Sequence, residues 1–202
     1  MSRADPLDPS AISAELNEQL IGNRVLVLDE TTSTNDVVRQ MAHQNAEGLV
    51  VFAEKQTAGR GQYGRNWEST PYLGLWCSIL LRPKIPVSQS ARLTNLLAQA
   101  IAATLHEEVG LAASIKLPND VFVDGRKIAG VLVEMRVERN GEYAAIAGIG
   151  LNVNQVAADF PPELRNSSGS IAMTAGRSIA RQQLAIALLR QLDSRYRSFR
   201  GA

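Results

Sequence analysis

The stretch 54-EKQTAGRGQYGRNWES-69 combines three glycines, three cationic side chains and one tyrosine, followed by a tryptophan. Its centre, GRGQYG, matches the dinucleotide-binding pattern GxGxxG, which requires the glycines to open a helix directly after a strand. Here the residues KQTA separate an apolar segment from the first glycine, and RNWESTPYLG after the glycines has no helical period. The match is therefore a coincidence of composition. The GK[ST] ending of a P-loop is absent as well.

Two physical interpretations of this loop remain. Glycines let backbone N–H groups point into one concavity, and Arg60 and Arg65 can neutralise phosphate charge, which together favour a mobile phosphate-binding loop. A surface turn with solvated arginines fits the same residues, because loops are commonly rich in glycine and polar side chains. The loop alone leaves both interpretations open.

The composition narrows the class of protein. A chain of 202 residues suffices for one sizeable core. Its 21 Lys and Arg against 20 Asp and Glu give a net charge of +1, which disfavours a nucleic-acid-binding protein. Cys77, the single cysteine, lies in the apolar run GLWCSILL and is predicted to be a core residue. No apolar run approaches the ~18 residues that span a bilayer, and the N-terminus lacks a secretory h-region. We therefore expect a cytoplasmic protein without membrane association.

Hydrophobic periodicity predicts a mixed α/β domain of the α+β type. Strands are predicted over residues 24–29, 49–54 and 73–81, and the segment 114–154 is strand-rich with hairpin signals at Asp124-Gly125 and Asn140-Gly141. Helices are predicted over residues 10–20, 35–45, 88–109, 170–175 and 179–199. Adjacent hairpins in the second half argue against a strictly alternating parallel sheet.

Three further segments are candidates for a site. Lys116 ends an apolar strand at the turn Pro118-Asn119-Asp120, where clefts tend to form, although a snorkelling lysine fits equally. Gly148 and Gly150 in one strand suggest that another group approaches the backbone closely, although a β-bulge also explains them. The cluster Ser33-Thr34-Asn35 could bind a polar ligand or only cap a helix.

Taken together, TTSTND, EKQTAGRGQYGRNWES, KLPND, KIAGVLVE and GIGLNVN resemble the catalytic domain of biotin protein ligases, in the order and roughly the spacing of that family. The resemblance runs from about Arg24 to the end of the chain. It implies a mixed β-sheet flanked by helices, related to class II aminoacyl-tRNA synthetases and lipoate ligases. It also implies an ATP-dependent ligase that makes biotinyl-5′-AMP and transfers biotin to a specific lysine of a biotin carboxyl carrier protein. Biotin and Mg·ATP are the expected substrates, with Mg²⁺ brought by ATP and no metal ligand assigned.

The resemblance also assigns site residues. Those expected to bind biotin are Ser33, Thr34, Asn35, Gln56, Gly59, Arg60, Gly61, Gln62, Lys116, Gly130 and Leu132. Those expected on the ATP side are Arg60, Arg65, Trp67, Lys116, Asn119, Gly150 and Asn152. Arg60 and Lys116 are the expected catalytic residues, because cations can stabilise charge that develops at phosphorus. The opening stretch then becomes a flap that admits two substrates and closes to exclude water.

This sequence departs from the family pattern in three respects. Gln62 stands where the family often has a second arginine, and Leu117 replaces a tryptophan. Residues 1–23 are expected to be an arm with a short helix, so we expect neither an N-terminal helix-turn-helix nor the C-terminal β-barrel that usually follows residues 24–202. We expect a monomer or a homodimer that does not bind nucleic acid.

The alternatives are weaker. A lipoate ligase should carry an RRxSGGG stretch, which is absent. A non-catalytic biotin-binding module would not need phosphate-contacting cations such as Arg60 and Lys116. His43 and His106 lack the spacing of metal ligands, and Cys77 has no partner motif, so a metal-dependent or nucleophilic enzyme is not indicated.

Overall fold

The structure, a computed structural model, describes residues 5–16, 18–138, 141 and 143–201. Within these residues, one sheet has the strand order β1-β2-β3-β7-β6-β5-β4. The strands are β1 Arg24–Thr31, β2 Leu49–Gln56, β3 Gly74–Leu81, β4 Ser114–Lys116, β5 Asp120–Val123, β6 Arg126–Val137 and β7 Tyr143–Asn152. Strands β1 and β2 pair in parallel, and all other pairs are antiparallel. The predicted mixed α/β sheet is confirmed.

Five α-helices surround this sheet in the described part of the chain. They are α1 Pro9–Ala14, α2 Thr34–Met41, α3 Ser90–Val109, α4 Ile171–Ala175 and α5 Arg181–Gly201. Gly110 ends α3 with φ +77° and Gly176 ends α4 with φ +67°, as the sequence predicts for helix C-termini. No helix among the described residues combines the length and apolar character needed to cross a membrane.

The two faces of the sheet have different cores. Alternate residues of β2 point to opposite sides, so Val50 and Phe52 join a large core with α1, α3 and α5. Leu49 and Val51 join a smaller core around Val38 of α2. The larger core contains Cys77, which is buried as predicted, and burial raises the pKa of its thiol to about 12.

The predicted hairpins are present, although helix boundaries differ from the prediction. Strands β5 and β6 are joined at Asp124-Gly125, where both residues have positive φ, as a two-residue type I′ turn requires. Strands β6 and β7 pair at the second predicted hairpin, whose Gly141 has φ +81°, whereas Asn140 lies outside the described residues.

The prediction of a helix through Leu20 is wrong, because α1 ends at Ala14. The Asp193 carboxylate of α5 accepts hydrogen bonds from the backbone N–H groups of Leu20 and Ile21, at 2.8 and 2.9 Å. These amides are thus satisfied by a tertiary contact and need no helix.

A buried ion pair fastens the first described residues to the end of β2. The Arg181 and Glu54 side chains are only 0% and 2% exposed and lie 2.6 Å apart. Arg181 also donates to the carbonyls of Gly74 and Asp5, at 3.0 and 2.6 Å. The second oxygen of Glu54 accepts the backbone N–H of Leu7 at 2.9 Å. All parts of this cluster are hydrogen-bonded, which is the condition for burying charge.

Candidate active site

The candidate site lies on the face of the sheet that carries α2. Two rows of cross-strand neighbours form its floor, Ser78–Gly148–Leu132 and Trp76–Gly150–Gly130. The same strands bury larger aliphatic residues on their opposite face. Three of these six positions are glycine and one is serine. The sheet therefore leaves space here that the side chains of an aliphatic core would fill. A cavity occupies this space.

A network of hydrogen bonds crosses one end of this cavity. The Thr34 hydroxyl lies 2.7 Å from the Ser78 hydroxyl, which donates to the Asn35 side-chain oxygen at 2.5 Å. The side-chain oxygen of Gln56 accepts from the Thr34 backbone N–H at 2.8 Å, and its amide nitrogen donates to Ser69 at 3.2 Å. Ser33 precedes α2 and lines the cavity without making a side-chain cap. The predicted hydroxyl and amide cluster is thus a preorganised polar surface.

The strand glycines make room for two particular side chains. A Cβ at Gly148 would lie 2.4 Å from the side-chain oxygen of Asn35, closer than real contacts allow. A Cβ at Gly150 would lie 2.3 Å from the Trp67 ring, and one at Gly130 would lie 2.9 Å from the same ring. The expectation that another group approaches the backbone closely at Gly148 and Gly150 is therefore confirmed.

The predicted flap is a small hairpin above this floor. The Trp67 N–H donates to the Gly59 carbonyl at 2.9 Å, and the Gly61 N–H donates to the Arg65 carbonyl at 2.7 Å. Tyr63 stands at its tip with φ +58° and is 90% exposed. A non-glycine residue in the left-handed region is often found at functional sites. The loop closes on Trp67, which packs edge-on against Trp76 with ring centroids 6.3 Å apart.

Arg60 extends from the flap toward α2. Its guanidinium forms two hydrogen bonds with the Asp36 carboxylate, at 2.7 and 2.9 Å, and lies 3.5 Å from Glu134 of β6. Arg39 of α2 also pairs with Asp36, and with Glu134 at 2.9 Å. The hydrogen bond from Arg60 lowers the pKa of Asp36, and the same bond raises the pKa of Arg60. Within this cluster, two cations face two carboxylates.

A second, larger cleft lies beside the first. Trp67 and Asn119 line both cavities, so they form the boundary between them. Lys127 also lines both, with its ammonium 5.3 Å from the Trp67 ring centroid and 2.7 Å from the Asp120 carboxylate. Lys116, at the end of the edge strand β4, lines only the larger cleft.

The structure brings together nearly all the residues that the sequence singled out. Lining the smaller cavity are Ser33, Thr34, Asn35, Gln56, Arg60, Gly61, Gln62, Trp67, Asn119, Gly130, Leu132 and Gly150. Lining the larger cleft are Gly61, Gln62, Arg65, Trp67, Lys116, Asn119 and Asn152. Gly59 lines neither and instead pairs with Trp67 at the base of the flap. Three placements differ from the expected assignment. Lys116 lies away from the smaller cavity, whereas Arg60 and Gly150 line the smaller cavity and not the larger cleft.

Sequence reasoning did not single out Lys127, Ser78, Asp36 or Glu134. Lys127 opens the segment KIAGVLVE, which carried part of the resemblance, and its place two residues beyond the Asp124-Gly125 turn could have indicated a lysine at a strand start. Ser78 is a lone hydroxyl in an apolar strand, which is a recognisable signal. Asp36 and Glu134 are the last residues of the segments TTSTND and KIAGVLVE, but no pattern in the sequence marks them as partners of Arg60.

The chain belongs to the biotin/lipoate A/B protein ligase family, whose model matches residues 27–154. This confirms the resemblance seen in the sequence motifs.

Within that family, its relatives are biotin protein ligases. The chain is 38% identical over 194 residues to the bifunctional ligase/repressor BirA of Bacillus subtilis, covering 96% of this chain and 60% of that protein. It is 30% identical over 213 residues to the biotin–[acetyl-CoA-carboxylase] ligase of Mycobacterium tuberculosis, covering 100% and 77%. The chain therefore spans well under two thirds of the length of the Bacillus relative.

Solved structures agree. The biotin protein ligase from Aquifex aeolicus in complex with biotin and ATP superposes with a TM-score of 0.77 and 29% identity, covering 88% of this chain and 72% of that one. The Leishmania major enzyme in complex with biotinyl-5-AMP gives a TM-score of 0.70 and 28% identity, covering 86% and 75%. The sheet is thus the biotin/lipoate ligase catalytic fold.

Proposed function

We propose that this chain activates biotin with ATP to biotinyl-5′-AMP and transfers the biotinyl group to a lysine of a carboxyl carrier protein. The observation that carries the proposal is a pair of adjoining cavities divided by Trp67. The smaller cavity has both polar and apolar lining residues, and the larger cleft is lined by the cations Arg65, Lys116 and Lys127. Related biotin protein ligases have been solved in complex with biotin and ATP and in complex with biotinyl-5-AMP. The two cavities have the chemistry to hold the two halves of such an adenylate.

Biotin would occupy the smaller cavity. Its ureido head has one carbonyl and two N–H groups, which match the hydroxyls and amides of Ser33, Thr34, Asn35 and Gln56. Gly61 and Gln62 would cover it from the flap. The valeryl chain would run over Gly130 and Leu132 toward Trp67, because this part of the floor is apolar and Gly130 adds no side chain to it.

ATP would occupy the larger cleft as Mg·ATP. Lys116 and Arg65 can contact its phosphates, and Trp67, Asn119 and Asn152 would border the nucleotide. Gly150 would contribute indirectly, by leaving space for the Trp67 ring. Lys127 reaches both cavities, so its ammonium can contact the biotin carboxylate and the α-phosphate together. A fixed cation at this boundary stabilises the charge that develops as the carboxylate oxygen bonds to phosphorus and pyrophosphate leaves.

In the second step, transfer of the biotinyl group, the closed flap would protect the adenylate from water. The acceptor lysine amine attacks the acyl carbon, and AMP leaves with the electrons of the broken C–O bond. Until then the flap must keep water from the mixed anhydride, and the hairpin ending at Tyr63 is placed to do so. We propose residues 24–202 as the catalytic domain, a cytoplasmic location, a biotin-dependent carboxylase subunit as acceptor, and a monomer or homodimer as the active form.

The test is mass spectrometry of a carrier domain and an unrelated protein after incubation with the chain, biotin and Mg·ATP. We expect one biotinyl group on one lysine of the carrier and ATP-dependent release of pyrophosphate. Lys127→Met should slow pyrophosphate release by about 100-fold or more, as expected for removing one fixed electrostatic group. Lys84→Met is the matched control, because Lys84 is exposed and lies beyond the opposite end of β3.

The outcomes separate the alternatives. Biotin binding without pyrophosphate release would mean that this chain is only a binding module. Scattered labelling of both proteins would mean that the adenylate escapes, as the presence of Gln62 in the flap suggests. Equal activity of Lys127→Met and Lys84→Met would overturn the role assigned to Lys127.

A further inference from the structure

The direction of Arg60 is the starting observation. A flap arginine that contacts phosphate should face the nucleotide cleft, yet the Arg60 guanidinium forms a two-pronged contact with Asp36 of α2. Both side chains are about one-third exposed, at 34% and 28%. Planar guanidinium and carboxylate groups paired in this way fix direction as well as distance. Arg60 therefore connects the flap to a helix and not to the cleft.

The charge of Arg60 is balanced where it lies. Asp36 and Glu134 together carry two negative charges, and Arg60 and Arg39 carry two positive ones within bonding distance. Held between these carboxylates, the Arg60 guanidinium lines the smaller cavity and not the larger cleft. The cations that line the larger cleft are instead Lys116, Lys127 and Arg65.

The same cluster touches the polar network of the smaller cavity. The Asn35 side-chain amide donates to Glu134 at 2.5 Å, and its oxygen accepts from Ser78. Ser78 in turn bonds to Thr34. An unbroken series of hydrogen bonds thus runs from the proposed ureido site, through Asn35 and Glu134, to the arginine of the flap.

From this arrangement we propose that Asp36 and Glu134 are positioning residues that act through Arg60, holding the flap over the biotin cavity. This inference rests on the proposed function. The pair of carboxylates, which we term the flap latch, couples recognition of the biotin head to closure of the flap. Because Asn35 shares Glu134 with Arg60, a ligand that orders Asn35 also orders the carboxylate that receives the flap. The latch thereby slows escape of the adenylate.

The first test needs no ligand. Hydrogen exchange of the amides of Gly61 and Trp67, which close the flap hairpin, is compared between the wild-type chain and Asp36→Asn. We expect about twofold to fivefold faster exchange in the variant, the size of effect that a partly exposed ion pair allows. Exchange in β3 and β7 should be unchanged, whereas a merely structural role for Asp36 would raise it there as well.

Two further variants complete the design. Asp36→Asn in an Arg60→Gln background should add nothing to the effect of Arg60→Gln alone, because the latch acts through Arg60. Glu30→Gln is the matched control, since Glu30 pairs with Lys55 at 2.7 Å but belongs to an exposed pair outside the cluster. It should leave flap exchange unchanged.

The second test measures biotin release by stopped-flow. Asp36→Asn should release biotin about twofold to fivefold faster than the wild-type chain. Failure of the wild-type chain to bind biotin would refute the proposed function while leaving the exchange result readable. Equal flap exchange in the wild-type chain and Asp36→Asn would overturn the latch. Tighter nucleotide binding by Asp36→Asn would also overturn it, because it would show that Asp36 competes with phosphate for Arg60.

Discussion

The two faces of β7 illustrate how one strand serves two purposes. Leu151 and Gly150 are neighbours in sequence but point to opposite sides of the sheet. Leu151 is fully buried in the large core beneath α3 and α5. Gly150 lies under the ring of Trp67 at the boundary of the two cavities. One face is filled to hold the domain together, and the other is left open.

The two faces show that stability and ligand binding depend on different residues of the same strand. The filled face gains free energy from every buried methylene. The open face forgoes that gain at Ser78, Gly148, Gly150 and Gly130, which together create the cavity floor. Substitutions on the two faces should therefore have effects of different kinds, even at adjacent positions.

The largest effect on stability is expected for Leu151→Ala. Removing a fully buried leucine leaves a cavity, and the free energy of unfolding should fall by about 2–5 kcal/mol. Urea denaturation with an unchanged m-value measures this loss. Biotin affinity is measured at a temperature where the variant is folded. It should stay within about twofold of the wild-type value, because Leu151 packs on the opposite face of the sheet and positions that share no contacts affect each other by less than ~0.5 kcal/mol. A larger loss of affinity would show that the two faces are not independent.

Gly150→Ala should have the converse effect. The added Cβ would lie 2.3 Å from the Trp67 ring, so the ring must move away from the boundary of the cavities. Overpacking of about 1–3 kcal/mol at this contact corresponds to a loss of biotin affinity of about 5- to 150-fold. Isothermal titration calorimetry measures the affinity, and urea denaturation checks that the fold is kept.

The matched control for Gly150→Ala is Ile146→Val on the same strand. Ile146 belongs to the smaller core around α2 and lines neither cavity. Its loss of one methyl should cost about 0.5–1.5 kcal/mol of stability. Biotin affinity should be retained. An unchanged affinity in Gly150→Ala would refute the view that Trp67 needs the space above this glycine.

The smallest effect concerns the charges beside the open face. The pKa of Asp36 is lowered by its hydrogen bond to Arg60, so its ionised form stabilises the folded state. This contribution is fully present above the pKa of the unfolded carboxyl, near 3.8, and is lost as the pH falls through the lowered folded pKa. Asp36→Asn should cost about 0.5–1 kcal/mol at neutral pH, since the pair is partly exposed.

Urea denaturation of both chains across the acidic range measures this pH dependence. The difference between wild type and Asp36→Asn should be constant down to about pH 5 and should shrink below about pH 4. A difference that persists undiminished at lower pH would show that Asp36 stabilises the fold through packing and not through its charge.

Much of the fold follows from the sequence because burial imposes periodicity. The apolar runs of β2 and β3, the glycines after α3 and α4, and the Asp124-Gly125 turn are local signals, and the structure confirms each of them. The end of α1 is not a local property. It depends on Asp193, which lies about 170 residues away in sequence and satisfies the amides of Leu20 and Ile21.

The candidate site follows the same rule. The sequence indicates that Gly148 and Gly150 admit a close neighbour, but it does not say that the neighbours are Asn35 and Trp67. The sequence also marks Arg60 as a cation of the flap without fixing its direction. That direction is set by the ion pair with Asp36, and no pattern in the sequence identifies Asp36 as the partner of Arg60. Local conformation is readable from sequence here, whereas pairing between distant side chains is not.

The buried pair of Arg181 and Glu54 has a consequence for how the chain reaches its native state. Glu54 lies near the end of β2, which is synthesised early, whereas its partner Arg181 lies 127 residues further along the chain. A buried carboxylate without its partner is strongly unfavourable, so the end of β2 cannot be completed until α5 docks. We therefore expect docking of α5 to be a late step in folding. On the ribosome, the sheet would be finished only when α5 has left the exit tunnel, which makes folding of the sheet and α5 cooperative and not progressive.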